Sequence, residues 1–546
     1  MKKIYKLLLS AGVTLLVVDN ASAQVPSLVK DINVGAGSSL PGLLTVMGAN
    51  FYFQANDGIA GGELWKSDGT TAGTSMVKDI NPGAGTGNPN GMTVMGSDIY
   101  FSGNDGATGQ ELWKSDGTLA GTSMVMDINP GALGCNPFGF KVIGSTIYFS
   151  GKTATDGYEL WKSDGTLAGT SEVKDINPGA TGSTPTEQCI LGTSVYFSAN
   201  DGTDGTELWK SDGTLAGTVL VKDINVGAGS GSPGGLVMMG GNIYFRGTDA
   251  TNGAELWKTD GTTAGTVLIK DINPGVTSST PAGLYVMGGY VYFTADDGTD
   301  GIELWRTDGT AAGTVLVKDI NAGVANSSPK SFAMLGGLLY FQATTAANGA
   351  ELWVTDGTSA GTTLVKDINV GATGSIPTGL ITDVVSIYFS ADDGINGAEL
   401  WKSDGTAAGT VMVADINPGA SASSPNGFGL IGSTLCFSAN DGTTGVELWT
   451  LTASALSVPT ILSADDEVIT YPNPANNSLF IKTNNNSQIK IDMYDVTGKL
   501  ILTKLLNATN INEISTSDEN AGMYLLRISD ALTGKVIKTK KVLIEK

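Results

Sequence analysis

The chain has 546 residues and a formal net charge of −22, from 53 acidic and 31 basic side chains, and it contains no histidine. Strong negative charge repels phosphate backbones, which argues against a nucleic-acid partner. The lack of histidine excludes Ser-His-Asp and Cys-His catalysis and every His-ligated metal site. The cysteines are odd in number (Cys135, Cys189 and Cys436), so we predict no disulfide framework.

The N-terminal segment has the pattern of a secretory signal peptide. Lys2, Lys3 and Lys6 give a basic start, an apolar run follows from Leu7 to Val18, and a small-x-small motif ends at Ala23. We predict a signal peptide over residues 1–23, with a short buried helix as the alternative. The apolar run is too short to span a bilayer, and no other long run occurs, so we expect no transmembrane segment in the mature protein.

A Glu-Leu-Trp motif recurs through most of the chain at a constant spacing of 48 residues. It contains every tryptophan: Trp65, Trp113, Trp161, Trp209, Trp257, Trp305, Trp353, Trp401 and Trp449. In the first copy the sequence favours four short strands between turn residues, at Leu43–Met47, Asn50–Asn56, Gly62–Ser67 and Ser75–Ile80. This period predicts an all-β fold, a β-propeller of four-stranded, 48-residue blades, with a β-solenoid as the alternative.

The two ends of the repeat region complement each other. A lone copy of the last strand, Leu28–Ile32, precedes the first repeat, and the ninth repeat stops after Trp449 without that strand. If Leu28–Ile32 pairs beside Glu447–Thr450, every blade has four strands and no sheet edge is left open. We therefore predict a closed ring of nine blades over residues 24–450, more than the four to eight that are usual.

The stretch ELWKSDGT, which begins at Glu63 in the first copy, predicts a strand followed by a turn. Trp65 is expected to pack between neighbouring blades, and Asp68 to stabilise the turn. The returning strand would then place Lys78 opposite Glu63 as a cross-strand charge pair. These copies resemble the bacterial ELWxxDGT repeat family over residues 28–450. The resemblance implies a secreted propeller, and it implies no single activity.

The composition changes after residue 450. Residues 451–470 predict a linker with an acidic patch, and alternating apolar runs from there to the C-terminus predict a small β-sandwich over residues 471–546. This segment contains the motifs YPNP, DVTGK and GMY and ends in a basic tail. With these motifs it resembles the type A C-terminal sorting domain of the type IX secretion system. The residues expected to carry the sorting signal are Tyr471, Pro472, Asn473, Pro474, Gly498, Gly522, Tyr524 and Lys546.

The resemblance of the C-terminal segment has consequences for partners and location. It implies that the type IX secretion machinery is a partner and that the chain is exported through the outer membrane. It also implies that this domain is removed and that the protein is released or attached to surface lipopolysaccharide. An ordinary adhesive sandwich domain is the alternative. We thus expect a secreted protein or one on the outer cell surface.

Repeated carboxylates are the candidate binding residues. They stand in Asn-Asp-Gly-type turns between the second and third strands: Asp57, Asp105, Asp201, Asp297, Asp393 and Asp441. Oxygen-rich turns of this kind suit calcium, which is the one metal considered at these positions. No catalytic residue and no other cofactor are predicted, because near-identical copies offer no pair of carboxylates in different environments.

The loops that follow each Asp-Ile pair vary most between copies, and we expect them to collect on one face of the disc. Such a face favours a surface-displayed binding or adhesion module, with a glycan or a protein as its ligand. One alternative is a secreted carbohydrate-active enzyme, a lyase or a hydrolase that uses aspartate and tyrosine. The other alternative is a purely structural component of the cell surface.

Overall fold

A computed structural model describes residues 25–452, 468–471, 475, 478–483, 489–495, 498–506, 511–517, 519–530 and 536–544. These residues form strands, turns and bends, and no helix occurs among them. Consequently, this part of the chain holds no apolar helix that could cross a membrane. The predicted signal peptide over residues 1–23 and most of the predicted linker lie outside the described residues.

Residues 25–452 are built from short strands at nearly constant intervals. In chain order the strands are β1 Ser27–Lys30, β2 Thr45–Met47, β3 Asn50–Asn56, β4 Gly62–Ser67, β5 Ser75–Lys78, β6 Asn90–Met95, β7 Asp98–Asn104, β8 Gln110–Ser115, β9 Ser123–Met126, β10 Phe138–Ile143, β11 Thr146–Thr153, β12 Gly157–Ser163, β13 Ser171–Lys174, β14 Thr186–Leu191, β15 Ser194–Asn200, β16 Thr206–Ser211, β17 Val219–Lys222, β18 Gly234–Met239, β19 Asn242–Asp249, β20 Gly253–Thr259, β21 Val267–Lys270, β22 Ala282–Met287, β23 Tyr290–Asp296, β24 Ile302–Thr307, β25 Val315–Lys318, β26 Lys330–Leu335, β27 Leu338–Thr345, β28 Gly349–Thr355, β29 Thr363–Lys366, β30 Thr378–Thr382, β31 Ile387–Asp392, β32 Ala398–Ser403, β33 Val411–Ala414, β34 Asn426–Ile431, β35 Thr434–Asn440 and β36 Val446–Thr452.

These strands form four-stranded antiparallel sheets, which we number in chain order. Sheet 1 is β2–β5, sheet 2 is β6–β9, and each following set of four strands forms the next sheet up to sheet 8, β30–β33. Sheet 9 combines β34, β35 and β36 with β1 from the N-terminal end. The predicted pairing of the lone N-terminal strand with the end of the ninth repeat is present, because Leu28 lies opposite Trp449 and Lys30 opposite Leu448, although the strand spans Ser27–Lys30 rather than residues 28–32.

Neighbouring sheets pack against each other in sequence, which makes the arrangement propeller-like. The first strand of each sheet contacts the first strand of the next sheet, and β34 of sheet 9 contacts β2 of sheet 1. Sheets 9 and 1 also share a buried cluster that includes Val29 and Ile32 from the N-terminal end, Phe53 and Trp65 from sheet 1, and Leu448 from sheet 9. The apolar core therefore lies between the sheets.

The motif ELWKSDGT builds one sheet and links it to the next. Trp65 is 6% exposed, as expected for a residue packed between sheets. Lys66 extends to sheet 2, where its Nζ donates to the carbonyl oxygen of Gly117 at 2.9 Å. Asp68 Oδ1 accepts hydrogen bonds from the backbone N–H and the hydroxyl of Thr70 at 2.8 and 2.7 Å, which stabilises the turn. The motif recurs because each sheet needs the same contacts.

The predicted pair between Lys78 and Glu63 is wrong. A bulge between Leu64 and Trp65 shifts the register, so that Lys78 lies opposite Leu64. Its Nζ instead lies 5.8 Å from the centroid of the Trp113 ring in sheet 2 and donates to the carbonyl oxygen of Thr122 at 2.7 Å. Lys78 therefore links sheet 1 to sheet 2 rather than two strands of one sheet.

This lysine–tryptophan contact recurs at seven boundaries between sheets, which we call seams. One of them joins sheet 9 to sheet 1, where Lys30 lies 5.7 Å from the Trp65 ring and donates to the carbonyl oxygen of Thr74 at 2.9 Å. Met126 and Ala414 replace the lysine at the other two seams. A cation over a tryptophan ring contributes about 0.5–1 kcal/mol at exposed sites, so those two seams lack a modest stabilising contact.

The C-terminal part forms two further sheets. Its strands are β37 Val468–Tyr471, β38 Ser478–Thr483, β39 Ile489–Asp495, β40 Leu500–Leu506, β41 Ile511–Ser515, β42 Gly522–Asp530 and β43 Val536–Ile544. One sheet has the order β37-β38-β41 and the other has the order β40-β39-β42-β43. Leu479 and Ile514 of the first sheet share a buried cluster with Ile491 and Leu526 of the second. Two sheets around one core agree with the predicted sandwich.

Candidate functional site

The glutamate of each Glu-Leu-Trp motif is fully buried, which the sequence analysis did not anticipate. Glu303 shows the arrangement: Oε2 accepts a hydrogen bond from the Ile320 backbone N–H at 2.9 Å, and Oε1 accepts one from the Ser327 N–H at 2.8 Å. The Ser327 hydroxyl also donates to Oε2. The carboxyl group thus holds both ends of the loop that leads to the next sheet, and we call this contact the loop clamp.

Burial raises the pKa of these glutamates, because the charged form loses hydration. The pKa reaches about 7 at Glu63 and at Glu207, where backbone N–H donors only partly oppose the effect of burial. Glycine stands at the position of the clamp serine in both copies, as Gly87 and Gly231. At Glu303 the serine hydroxyl lowers the pKa, although burial still keeps it above its usual value.

The candidate aspartates cap their own turns. Asp57 Oδ1 accepts hydrogen bonds from the backbone N–H groups of residues 59 and 60, at 2.9 and 2.7 Å. Asp105, Asp201, Asp297, Asp393 and Asp441 accept the same pair of N–H bonds in their turns. This geometry explains why aspartate recurs at a position that tolerates Thr153 and Thr345 in two copies.

In five of the candidate turns, hydrogen bonds to the aspartate favour its charged form. Burial raises the pKa of Asp105, but hydrogen bonds from the Thr108 and Ala107 backbone N–H groups and from the Thr108 hydroxyl outweigh it and leave the pKa below its usual value. The pKa of Asp201, Asp297, Asp393 and Asp441 is lowered in the same way. Within the described residues, no three histidine, cysteine, aspartate or glutamate side chains lie together as a metal site would require.

The turns and the variable loops lie side by side. In the loop after sheet 1, the Asn88 N–H donates to the carbonyl oxygen of Gly62, at the end of the turn in the same sheet. The Asn104 N–H, in the turn of sheet 2, donates to the carbonyl oxygen of Gly87 in that loop. Loops and turns therefore alternate along one surface, the loop face, which comprises residues 31–40 and 56–61 and their equivalents in the other sheets.

The loop face exposes apolar side chains as well as carboxylates. Val34, Val226, Val324 and Val370 are each more than four-fifths exposed, and they occupy similar places in their loops. Exposed apolar side chains that share a surface with carboxylates are a feature of surfaces that bind partners.

Sheet 3 contains a carboxyl group that the repeat does not require. Glu172 occupies a position that is leucine or methionine in every other copy, and it lies opposite Trp161. Burial and, to a lesser extent, the neighbouring carboxylates of Asp156, Glu159 and Asp175 raise its pKa to about 7. The sequence analysis missed Glu172, although a comparison of the copies position by position would have found it.

The structure describes part of the predicted sorting signal. Tyr471 ends β37 and lies opposite Phe480, and Gly498 lies in the turn between β39 and β40 with a φ of 81° that favours glycine. Gly522 begins β42, and the Tyr524 hydroxyl donates to the carbonyl oxygen of Asn520 at 2.9 Å. The other signal residues, Pro472, Asn473, Pro474 and Lys546, lie outside the described residues.

Comparison with known families identifies the C-terminal segment. Residues 469–545 match the family model described as the secretion system C-terminal sorting domain. This segment is a type IX sorting domain. The sorting domain indicates export, typically to the cell surface or the extracellular space, and it implies interaction with the type IX secretion machinery.

Solved structures that resemble the chain include the propeller domain of a protease and two puromycin-hydrolysing enzymes. The β-propeller domain of the Trilobed protease from Pyrococcus furiosus has 12% identity and a TM-score of 0.30, with 60% of this chain and 97% of that chain covered. A puromycin-hydrolyzing peptidase from Mycobacterium tuberculosis has 11% identity and a TM-score of 0.38, with 76% of this chain and 61% of that chain covered. A puromycin hydrolase has 13% identity and a TM-score of 0.36, with 67% of this chain and 60% of that chain covered.

The match spans only about three fifths of the two puromycin-hydrolysing chains. Identities and TM-scores this low carry no activity over to the present chain. No curated protein matches its sequence.

Proposed function

We propose that sheets 1–9 are the blades of a closed nine-bladed propeller of the ELWxxDGT type, over residues 24–450. The pairing of β1 with β36, the contact between β34 and β2, and the Lys30–Trp65 contact at the seam of sheets 9 and 1 support this closure. The remaining parts of the chain would be a signal peptide over residues 1–23, a linker over residues 451–470 and the sorting domain over residues 471–546.

In our proposal, the type IX system displays this propeller outside the cell, where its loop face binds a glycan or a protein. One observation carries the binding role. Most recurring residues of the repeat are engaged in contacts within or between sheets, whereas the loop face has both exposed valines and charged aspartates. The aspartates from Asp57 to Asp441 would supply weak, equivalent contacts that add through avidity. Calcium at the same turns is an alternative use of these carboxylates.

The test is a binding screen with residues 24–452, which include all of β36. The protein is applied to a glycan array and to extracts of outer-membrane proteins, in buffer with calcium and in buffer with a chelator. Specific retention that requires the loop face supports the binding module, and loss of binding in the chelator adds calcium to the site. A folded protein that binds neither class of ligand would favour the purely structural surface component instead.

A carbohydrate-active enzyme is a second candidate, because Glu172 differs from its surroundings. A glycosidase needs one carboxyl group that is protonated near neutral pH and a second one that is charged. Glu172, with a pKa of about 7, stands among the carboxylates of Asp156, Glu159 and Asp175. Cleavage by the wild-type chain of a glycan retained on the array, lost in Glu172→Leu and kept in the exposed-site control Glu187→Gln, would establish the enzyme.

A further inference from the structure

We infer that the loop face carries a subsite for a neutral sugar, in a hollow of sheet 4 beside the aromatic pair Phe138–Tyr158 of sheet 3. This inference rests on the proposed binding function, and it adds a ligand class and a position. Unlike the turn aspartates, the subsite does not recur around the ring.

The hollow has a volume of about 340 Å³ and a polar, uncharged lining. Four of the residues that line it are Thr181, Thr184, Thr186 and Thr206, and the amide of Asn200 completes one wall. Among the described residues, the hydroxyls of these four threonines have no hydrogen-bond partner. The hollow therefore presents unused donors and acceptors to a ligand.

The same positions are filled in sheet 3. The counterparts of the lining residues Thr184, Thr186, Asn200 and Thr206 lie 48 residues earlier in the chain. They are Asn136, Phe138, Lys152 and Tyr158, in that order. Neither aromatic residue has an aromatic counterpart in any other copy, so the fold forms without them. Threonines line the hollow in sheet 4, and the adjoining sheet has aromatic rings at positions where no other copy has one.

The aromatic pair is attached to the wall of the hollow. The rings of Phe138 and Tyr158 lie edge to face with centroids 5.4 Å apart, and Lys152 Nζ lies 5.5 Å from the Tyr158 centroid. The Tyr158 carbonyl oxygen accepts a hydrogen bond from the Thr184 N–H at 2.9 Å. The Tyr158 backbone also forms a bridge with Gly182, another residue of the lining, and both rings are only partly buried.

Hydroxyl groups next to an aromatic surface suit a hexose. The sugar hydroxyls can bond to threonine and asparagine, while the polarised C–H groups of one sugar face stack on a ring whose π-face is negative. The hollow itself is lined by no cation, the nearby Lys152 ammonium lies over the Tyr158 ring, and a chain with a net charge of −22 repels anionic polymers. The ligand class is therefore a neutral glycan rather than a uronic-acid polymer.

The test uses immobilised neutral oligosaccharides of glucose, galactose, mannose and N-acetylglucosamine, with uronic-acid oligosaccharides in parallel. We expect the wild-type chain to bind at least one neutral probe and none of the acidic ones. Thr184→Ile, which fills the hollow, and Tyr158→Thr, which removes the ring, should each weaken that binding by about tenfold or more.

A matched control separates binding from folding. Thr280→Ile makes the same substitution at the equivalent position of a loop that has no aromatic pair beside it, so the subsite requires it to weaken binding far less than Thr184→Ile does. Isoleucine is compatible with the backbone there, because Ile376 occupies the equivalent position with a φ of 52°, against 51° at Thr184 and 49° at Thr280.

The outcomes distinguish this inference from the proposed function. If the wild type binds a neutral glycan and Thr184→Ile binds it equally well, the subsite is wrong and the binding module stands. Retention of acidic glycans alone, or of a protein alone, overturns the neutral-sugar subsite and again leaves a binding module. A chain that is folded by circular dichroism and binds none of the probes overturns the subsite outright.

Discussion

Substitution of Ile32 by alanine tests whether the N-terminal strand belongs to the ring. Ile32 is 4% exposed and packs in the core shared by sheets 9 and 1, and its N–H donates to Glu447 Oε2 at 2.9 Å. Ile272 offers the same environment in the middle of the chain, with 4% exposure and a bond to Glu255 Oε2 at 3.0 Å. Truncation of a buried isoleucine to alanine costs about 2–5 kcal/mol.

Both alanine variants keep the backbone N–H and its bond to the clamp glutamate, so each removes apolar packing alone. We therefore expect Ile32→Ala and Ile272→Ala to lower the free energy of unfolding by similar amounts. Urea unfolding of residues 24–452, followed by tryptophan fluorescence, measures both. A large loss for Ile272→Ala with almost none for Ile32→Ala would mean that the N-terminal strand is not part of the stable core, which would refute ring closure.

Other expected outcomes concern the loop clamps, the seams and the turn aspartates. The folded pKa of Glu63 and Glu207, about 7, lies above the unfolded value of about 4.5, so their contribution to stability is complete below pH 4.5 and declines as the pH rises to 7. The urea midpoint of the wild type should therefore fall as the pH rises across this range, and the midpoint of the double variant E63Q/E207Q should fall less. An equal dependence on pH in both proteins would contradict the role of burial. Met126→Lys should raise the free energy of unfolding by about 0.5–1 kcal/mol, and Lys78→Met should lower it by a similar amount. No change in either variant would show that the lysine–tryptophan contact does not stabilise the seam. Asp105→Asn keeps the turn acceptor, so it should barely change binding to an immobilised multivalent ligand, whereas the same change in many units should abolish it. Loss of binding from that single change would argue against equivalent repeated contacts.

The sequence predicts the strands because their alternation and turn residues are local signals. Asn50–Asn56 and Gly62–Ser67 are strands with the predicted bounds, and the lone strand near Leu28 pairs where the missing strand of the ninth repeat required it. The register of the fourth strand could not be predicted, because a bulge after Leu64 depends on how the chain twists rather than on the residue types.

The candidate site was predicted only in part, for two physical reasons. The burial of Glu63 depends on a loop in which the Gly87 N–H, 24 residues later in the chain, donates a hydrogen bond to its carboxylate. A contact over that separation cannot be predicted from a local sequence pattern. Glu172 was missed for a different reason, because the prediction was based on residues that the copies share, and Glu172 occurs in one copy alone. The turn role of Asp57 follows from the Asn-Asp-Gly sequence, whereas its ligand role remains a proposal.

Surface labelling of whole cells tests most directly the claim that this chain is a displayed propeller exported through its C-terminal domain. The full chain and a chain that ends at residue 468 are expressed in a host with the type IX system, and both are detected with an antibody against residues 24–450. We predict labelling of intact cells, or recovery from the medium, for the full chain alone, while the truncated chain is detected only after the outer membrane is opened. Equal surface labelling of both chains would contradict export through the sorting domain.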